Sequence, residues 1–161
     1  MPASFRNSFW AGLLLAFILG IYLMRLWGAE HQVRLHSEHF VHQVERRNWS
    51  AVEKFIAADY HDAWGDDRAR LLTRLRLVGR FFFTLTITAS NVQTSTNGTT
   101  GTWQARVQLT GRGEAAGEIT AEVNSLTTPF KLLWRHESWE PWDWQLVRVT
   151  NESLNLPRGE F

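Results

Sequence analysis

The residues best suited to acid–base chemistry stand in one stretch, Asp59-Tyr60-His61-Asp62, and His136 follows much later in the chain. General acid–base catalysis needs such groups to converge within hydrogen-bonding reach of a substrate. The stretch is expected at the end of a helix, where successive side chains point about 100° apart, so the four groups cannot all face one substrate. Tyr60 continues an apolar helical stripe and is expected to face the interior. No catalytic residue is therefore predicted, and a small pocket enzyme is the alternative.

Four histidines, His31, His36, His39 and His42, fall within one predicted helix. Two histidines three residues apart can share a helix face, which is one geometry of a metal site. The helix contains no aspartate that would complete such a site, and the whole sequence contains no cysteine. A solvated, titrating helix face is the expectation. Neither a metal nor another cofactor is predicted.

Tryptophan is abundant, with nine in 161 residues, and four lie close together: Trp134, Trp139, Trp142 and Trp144. Such a cluster is either an aromatic binding platform or the packed interior of a small sheet that leaves one tryptophan exposed for a partner. The domain is further expected to bind either a small apolar ligand in a pocket or a protein partner. The candidate lining residues of this pocket are Tyr60, Trp103, Trp134 and His136.

The elements that position these residues begin with an apolar segment, residues 9–27 (FWAGLLLAFILGIYLMRLW), which carries no charge before Arg25. In a helix, Trp10 and Trp27 would stand roughly 26 Å apart, close to the roughly 30 Å hydrocarbon thickness of a bilayer. Tryptophan favours the membrane interface, and the Arg25 side chain is long enough to reach the lipid headgroups. An uncleaved membrane anchor is predicted. A cleaved signal peptide and a buried core helix are the alternatives.

The charges around this segment barely decide its orientation, since Arg6 precedes it and Arg25 and Arg34 follow it closely. A short N-terminus ahead of a folded domain favours an N-in, C-out orientation. The domain is therefore expected on the extracytoplasmic (periplasmic) side of a membrane. The formal net charge is only +1, so binding to nucleic acid is not predicted.

Three helices are predicted after the anchor, over residues 30–47, 50–64 and 67–78. The capping box Ser50-Ala51-Val52-Glu53 is the expected start of the second helix, and Gly65 follows its end. Asp66 is expected to cap the third helix, and Gly79 to mark its end.

From residue 80 the apolar period changes from helical to two, which predicts an antiparallel sheet. Five strands are expected, beginning near Arg80, Trp103, Ile119, Pro129 and Trp142, with a turn at Asn97-Gly98. Helices followed by strands with one apolar face make an α+β domain. Phe82 and Leu133 fall on the polar side of their strands, which favours a homodimer through the outer face of the sheet.

Two stretches resemble the nuclear transport factor 2-like (NTF2-like) superfamily and its SnoaL-like branches: WSAVEKFIAADYHDAWGDDRARLL (residues 49–72) and FKLLWRHESWEPWDWQLVRV (residues 130–149). The likeness covers about residues 31–150. It implies a cystatin-like α+β cone, in which three helices pack on a curved antiparallel sheet (a cone-shaped barrel). Members enclose a pocket that serves catalysis, ligand binding or dimerisation, so the fold leaves function open.

Enzymes of this superfamily need specific catalytic residues. Isomerase-like members use a carboxylate base beside a tyrosine, and dehydratase-like members use a His–Asp pair. No predicted strand carries an acidic residue at an evidently inward position, because Glu118 and Glu122 alternate with the apolar set. Because the acid–base residues of this chain are not expected to converge, a binding role is predicted over catalysis.

The sequence divides into a membrane anchor (residues 1–28), a linking helix (29–48), the remainder of the cone domain (49–151) and a C-terminal tail (152–161). The expected function is a membrane-tethered, non-catalytic binding or assembly module with an extracytoplasmic domain. A small pocket enzyme of the isomerase or dehydratase type is the alternative. The layout resembles the bitopic inner-membrane assembly subunit of type IV secretion systems.

Overall fold

The computed structural model describes residues 3–26 and 28–154, with side chains from residue 10 to 23 and from residue 28 to 154. Within these residues the helices are α1 (Ala3–Leu26), α2 (Ala29–Glu45), α3 (Trp49–Phe55), α4 (Arg68–Arg80) and α5 (Ala116–Ser125). The strands are β1 (Thr84–Asn97), β2 (Thr100–Arg112), β3 (Phe130–His136) and β4 (Trp144–Thr150). The fold is α+β with a curved antiparallel sheet, as predicted.

The sheet is an antiparallel meander in the order β1-β2-β3-β4. The turn between β1 and β2 consists of Gly98 and Thr99, one residue later than the predicted Asn97-Gly98, and Gly98 adopts a φ of +60° that favours glycine. β3 pairs with β2 only from Thr100 to Ala105. The rest of β2 has no strand partner on that side, and the Asn124 amide of α5 bonds there to the backbone N–H and C=O of Leu109. This side chain satisfies backbone groups that an open sheet edge would leave unpaired.

Helix α2 crosses the inner face of the sheet from one end to the other. Near its start Val33 lies against Gly101, where a Cβ would also come within 3.2 Å of Trp144 Cζ3. Beyond its end the Arg47 guanidinium donates to the Phe82 carbonyl at 2.7 Å, at the far end of the sheet. The His136 N–H donates to the Thr99 carbonyl at 2.8 Å, so the β1–β2 and β3–β4 turns share one end. We call it the turn end, and α2 begins there.

The core between the sheet, α2 and α3 is filled with aromatic rings. Phe40, Phe55 and His36 each meet Trp134 edge to face, with ring centroids 6.2, 6.3 and 5.9 Å from the indole. Trp103 is buried on the same face of the sheet as Trp134. Edge-to-face rings at these separations stabilise each other beyond the area they bury. The rings occupy the space that a cone-shaped fold could otherwise leave open.

The helix caps differ from two of the predictions. Asn48, and not Ser50, caps α3: its side chain accepts from the Ala51 N–H, while the Ser50 hydroxyl donates to Asn48. Asp67, and not Asp66, caps α4 by accepting from a backbone N–H one turn into the helix. Both corrections move the cap by one or two residues, because several neighbouring side chains in each stretch can accept such a bond.

Helix α3 ends at Phe55 and does not continue to Trp64 as predicted. The following residues run beside β4, where the N–H groups of Ala57 and His61 donate to the carbonyls of Leu146 and Val147 at 3.0 and 3.2 Å. These bonds pair backbone groups along the edge of β4. Pairing along the sheet therefore overrides the local helical pattern of this stretch.

The predicted third strand is a helix. Ile119, Ala121 and Val123 alternate with polar residues, which suggested a strand, but these residues lie in α5. Ile119 and Val123 also stand four residues apart, the spacing of one helix face. A short apolar pattern fits both periods, and the sheet consequently has four strands where five were predicted.

The three phenylalanines before β1 face opposite to the prediction. Phe82 is 1 % exposed and Phe83 is 75 % exposed. Gly111 leaves room for the buried ring, since a Cβ there would lie 2.7 Å from Phe82 Cδ1. Phe82 is therefore a core residue and gives no support to a homodimer, whereas Leu133 is partly buried. The homodimer itself stays a prediction.

The predicted anchor, residues 9–27, extends beyond the side chains that the structure describes. Within the described part of the chain, no helix is long and apolar enough to cross a membrane. Between residues 10 and 23, the large apolar side chains of α1 are exposed, Leu15 to 69 % and Phe17 to 67 %. This exposure argues against the alternative of a buried core helix.

Candidate functional site

The four predicted pocket residues do not line one open space. Trp103 and Trp134 are buried side by side on β2 and β3, where Trp103 pairs with Leu132 and Trp134 pairs with Gly101. Among the described residues, neither indole Nε1–H has a hydrogen-bond acceptor. Tyr60 lies on the segment beside β4, and His136 lies at the turn end. The indoles thus form core, with two unpaired donors as their only polar atoms.

Tyr60 is 2 % exposed, and its hydroxyl donates to Asp62 Oδ2 at 3.3 Å. Burial, followed by the negative charge of Asp62, raises the pKa of Tyr60 well above its ordinary value of 10.0. Both effects disfavour the phenolate. The phenol is therefore neutral at physiological pH and directs its hydrogen at a neighbouring side chain.

The buried carboxylates beside Tyr60 brace the loop between α3 and α4. Asp62 Oδ1 accepts from the backbone N–H groups of Trp64 and Asp66, each at 2.9 Å. The Asp66 carboxylate forms an ion pair with Arg74, with Nε 2.9 Å from Oδ2. The Trp64 indole donates to the Leu154 carbonyl at 3.0 Å and joins the loop to the end of the described chain. These acids are held by protein groups, as structural carboxylates are.

The other members of the 59–62 stretch lie at the surface. Asp59 accepts two hydrogen bonds from the Arg135 guanidinium, at 2.8 and 2.9 Å. These bonds lower the pKa of Asp59 below its ordinary value of 3.8. His61 is exposed as well. The stretch therefore divides between the surface and the interior, and its acid–base groups do not converge.

His136 belongs to the support of a turn. Its ring stacks on Trp144 with centroids 4.8 Å apart, and its Nε2–H donates to the Glu140 carbonyl at 2.7 Å. Both contacts fix residues of the β3–β4 connection. The position indicates a structural role for His136 at the turn end.

The β3–β4 connection, residues 137–143, which we call the Trp turn, separates the four clustered tryptophans. Trp134 and Trp144 are buried, while Trp139 and Trp142 are 87 % and 54 % exposed. The sequence left open whether the cluster was a binding platform or core packing; two of its tryptophans are packed in the core and two are exposed. Solvent-exposed indoles on a folded domain indicate a contact surface.

Hydrogen bonds within the Trp turn hold its backbone in a defined conformation. The Glu137 N–H donates to the Asp143 carbonyl at 2.9 Å, and the Asp143 N–H donates to the Glu140 carbonyl at 3.0 Å. The Trp144 indole donates to the Pro141 carbonyl at 3.0 Å. The turn is therefore a braced loop on the end of the sheet.

Two surface clefts border α4, away from the predicted pocket residues. The larger, about 540 Å³, is lined by Glu53, Ala58, Asp67, Arg68, Ala69, Leu72, Thr73 and Arg76. The smaller, about 370 Å³, is lined by Arg47, Trp49, Arg76, Gly79 and Arg80. In the larger cleft Arg68 donates to the Glu53 carbonyl at 3.0 Å and lies 3.5 Å from its carboxylate. An ion pair occupies part of this cleft.

Three of the four histidines of α2, His31, His39 and His42, are exposed, as expected of a solvated helix face. His36 is half-buried, donates from Nδ1 to the Gln32 carbonyl at 2.8 Å, and lies against the rings of Phe55 and Trp134. His42 lies 3.4 Å from the Glu45 carboxylate on the surface. In the part of the chain that the structure covers, no three histidine, aspartate or glutamate side chains are placed to hold a metal ion.

No family model matches the sequence, and no curated protein matches it. Several solved structures have the same fold. An NTF2-like superfamily protein from Salmonella enterica serovar Typhimurium is 9 % identical with a TM-score of 0.61, over 83 % of this chain and 96 % of that one. A proposed ketosteroid isomerase from Shewanella frigidimarina is 15 % identical with a TM-score of 0.58, over 76 % and 95 %.

A proposed dehydratase of the NTF2-like family from Streptomyces avermitilis is similar to the same degree. It is 16 % identical with a TM-score of 0.55, over 74 % of this chain and 91 % of that one. At such identities, likeness of structure establishes fold and leaves activity open. The chain has the NTF2-like fold that its sequence predicts.

Proposed function

We propose that this protein is a membrane-tethered, non-catalytic binding or assembly module with its NTF2-like domain on the extracytoplasmic side. The observation that carries the proposal is the aromatic interior. Trp103, Trp134, Phe40 and Phe55 occupy the space between sheet and helices. Ligand sites of this architecture need a concave space with a few polar groups aimed into it. Binding is therefore assigned to the outside of the domain.

The hydrogen bonds and the ion pair of the buried polar groups support the same proposal. A general base must have a free lone pair toward the substrate, and a catalytic constellation must converge on one reacting atom. Asp62 accepts from two backbone N–H groups and from Tyr60, and Asp66 pairs with Arg74. These contacts stabilise the loop between α3 and α4. Their arrangement suits a structural role for the tyrosine–aspartate pair.

The tether is supported by the sequence of residues 9–27 and by the exposure of α1. Leu15, Phe17 and Leu19 present most of their surface outside the domain. An exposed apolar surface of this extent is normally covered by a partner or by lipid. The length of the apolar run and its flanking tryptophans favour lipid.

A small pocket enzyme of the isomerase or dehydratase type is the second candidate. It is supported by the proposed ketosteroid isomerase and the proposed dehydratase among the similar structures. Two further observations favour it: the buried Tyr60–Asp62 pair, and the unpaired indole N–H groups of Trp103 and Trp134. A buried donor without an acceptor is a group that a polar ligand atom could satisfy.

Cell fractionation tests the tether. The full chain, expressed in a bacterium, is expected to stay in the membrane fraction through an alkaline carbonate wash, and protease added outside the inner membrane should degrade the domain. The double variant Leu15→Lys and Ile18→Lys should leave the membrane, because each charge at the centre of a span costs about 2.5–3.5 kcal/mol. The matched double variant Leu15→Ala and Ile18→Ala should remain. Recovery of a soluble mature chain starting near Glu30 would show a cleaved signal peptide instead.

A further inference from the structure

The exposed indoles of the Trp turn and the exit of the tether lie at the same end of the domain. We propose that Trp139 and Trp142 rest in the interface of the bilayer beside the tether, so that the domain is held against the membrane at two points. The surface they recognise is the boundary between lipid headgroups and acyl chains. The inference rests on the proposed tether and assigns the turn a partner that the tether alone does not require.

Gly101 gives the geometry, since it touches both elements. Val33 of α2 packs on it, and Ala29 lies one turn, about 6 Å of helix, nearer the tether. Gly101 also pairs with Trp134, and the Trp turn begins just after His136, about 7 Å further along β3. The opposite direction along α2 leads to Arg47 and Phe82 at the far end of the sheet. Tether exit and Trp turn therefore leave the domain on the same side.

The side chains of the Trp turn suit this surface. An indole has a large apolar body and one N–H donor, so it is most stable where apolar and wet regions meet. Because the turn is braced by backbone bonds and by the His136–Trp144 stack, docking requires little further ordering of the chain. Pre-organisation of this kind lowers the entropic cost of binding. Phe83, the other strongly exposed ring of the domain, lies at the far end of the sheet.

The charges of the turn define which membrane it should prefer. The turn carries three acidic residues close to the tryptophans in the sequence: Glu137, Glu140 and Asp143. Glu137 pairs with Arg135 at 2.6 Å, so that arginine offers little attraction to a lipid phosphate. Contact must therefore come from burial of indole surface and not from attraction of opposite charges. Binding should be strongest to zwitterionic lipid, insensitive to salt, and weakened by anionic lipid.

Site-specific labelling tests the contact, and the absence of cysteine from the sequence allows a single label. The full chain carrying Ser138→Cys with a fluorescent label is placed in phosphatidylcholine vesicles that contain lipid with a nitroxide near the headgroup. Strong quenching of the label is expected. The same label on Glu114→Cys, beyond β2 at the far end of the sheet, should not be quenched. Adding Trp139→Ala and Trp142→Ala to the Ser138→Cys chain should abolish quenching, whereas adding Phe83→Ala should not.

The outcomes separate the two proposals. A chain that the vesicles retain but whose label at residue 138 is not quenched overturns the Trp turn contact and leaves the tether intact. Quenching that survives loss of both indoles, or that strengthens with phosphatidylglycerol and weakens with salt, also overturns it, because burial of tryptophan would not be the cause. A chain that the vesicles do not retain overturns the tether and the contact together.

Discussion

At the scale of single residues, the contacts of Tyr60 favour a structural role for this residue over a catalytic one. Its hydroxyl is buried beside a carboxylate, as it would be in an isomerase-like site, but it donates to that carboxylate at 3.3 Å. Asp62 in turn accepts from two backbone N–H groups of the following loop. The pair therefore supports the conformation of residues 60–66, and its removal should be felt first in stability.

Substituting Tyr60 tests this role without a substrate. Tyr60→Phe should lower the free energy of unfolding by about 0.5–1.5 kcal/mol through the lost hydrogen bond, and Tyr60→Ala by about 3–5 kcal/mol through the cavity. The raised pKa of Tyr60 stabilises the parent fully below pH 10.0, its ordinary value, and this contribution is lost as the pH rises above that value. Denaturant unfolding of both chains across the alkaline range should therefore show a shallower pH dependence for Tyr60→Phe. A Tyr60→Ala protein as stable as the parent would contradict the structural reading.

At the scale of elements, the contact of α2 with the sheet depends on a missing side chain. A Cβ at Gly101 would collide with the Val33 methyl groups and approach Trp144 Cζ3 to 3.2 Å. The close approach brings the start of α2 onto the turn end of the sheet. It thereby determines where the proposed tether would leave the domain.

Gly101→Ala should disturb this contact and lower the free energy of unfolding by about 1–3 kcal/mol, the usual cost of overpacking a core. Gly117→Ala is the matched control: it lies in α5 with open space around the new Cβ, so helix propensity should raise stability by about 0.5–1 kcal/mol. Thermal unfolding of both variants against the parent measures the difference. Equal stability of the two variants would mean that α2 does not press on β2 at this point.

The sequence predicts some elements better than others for physical reasons. The third predicted helix and the Asn97-Gly98 turn carry strong local signals, a long apolar stripe and a dipeptide that tolerates positive φ, and both are present, the turn one residue later than predicted. The residues of α5 carry an apolar pattern that fits two periods. The stretch Phe81-Phe82-Phe83 carries no periodic pattern, because three consecutive rings do not show which one faces inward. Contacts that come from distant parts of the chain decide such cases.

Among the candidate site residues, too, the sequence predicts some features and not others. Burial of Tyr60 agrees with the sequence-based expectation, but its stated cause, a helix through residue 60, is wrong, since the segment pairs with β4 instead. The fifth strand was predicted to begin near Trp142, but β4 begins at Trp144, so Trp142 lies in the turn and is exposed together with Trp139. Alternation alone does not show which tryptophans lie in a turn.

At the scale of the whole molecule, the proposed function assigns membrane attachment to the exposed apolar helix α1 and partner contact to the domain. In this proposal the aromatic rings of the interior stabilise the domain, and its outer surface makes the contacts. NTF2-like folds are used for catalysis when the space between sheet and helices is open, as the resemblance implies. Here Trp134 and its edge-to-face neighbours occupy it. The two candidate functions therefore predict different states of this interior: closed for the binding module and open for the pocket enzyme.

Removing Trp134 should create a pocket among the rings of His36, Phe40 and Phe55 that now contact it. In detergent micelles, Trp134→Ala should lose about 3–5 kcal/mol of unfolding free energy, because it deletes a large ring from a closed core. Added indole should then raise the midpoint of thermal unfolding of the variant, since a ligand that binds only the folded state stabilises it. The parent and the exposed-site control Trp139→Ala should not respond to indole, and Phe40→Ala serves if Trp134→Ala does not fold. Stabilisation of the parent by indole would reveal an open interior site, and the pocket enzyme would then become the better account of this protein.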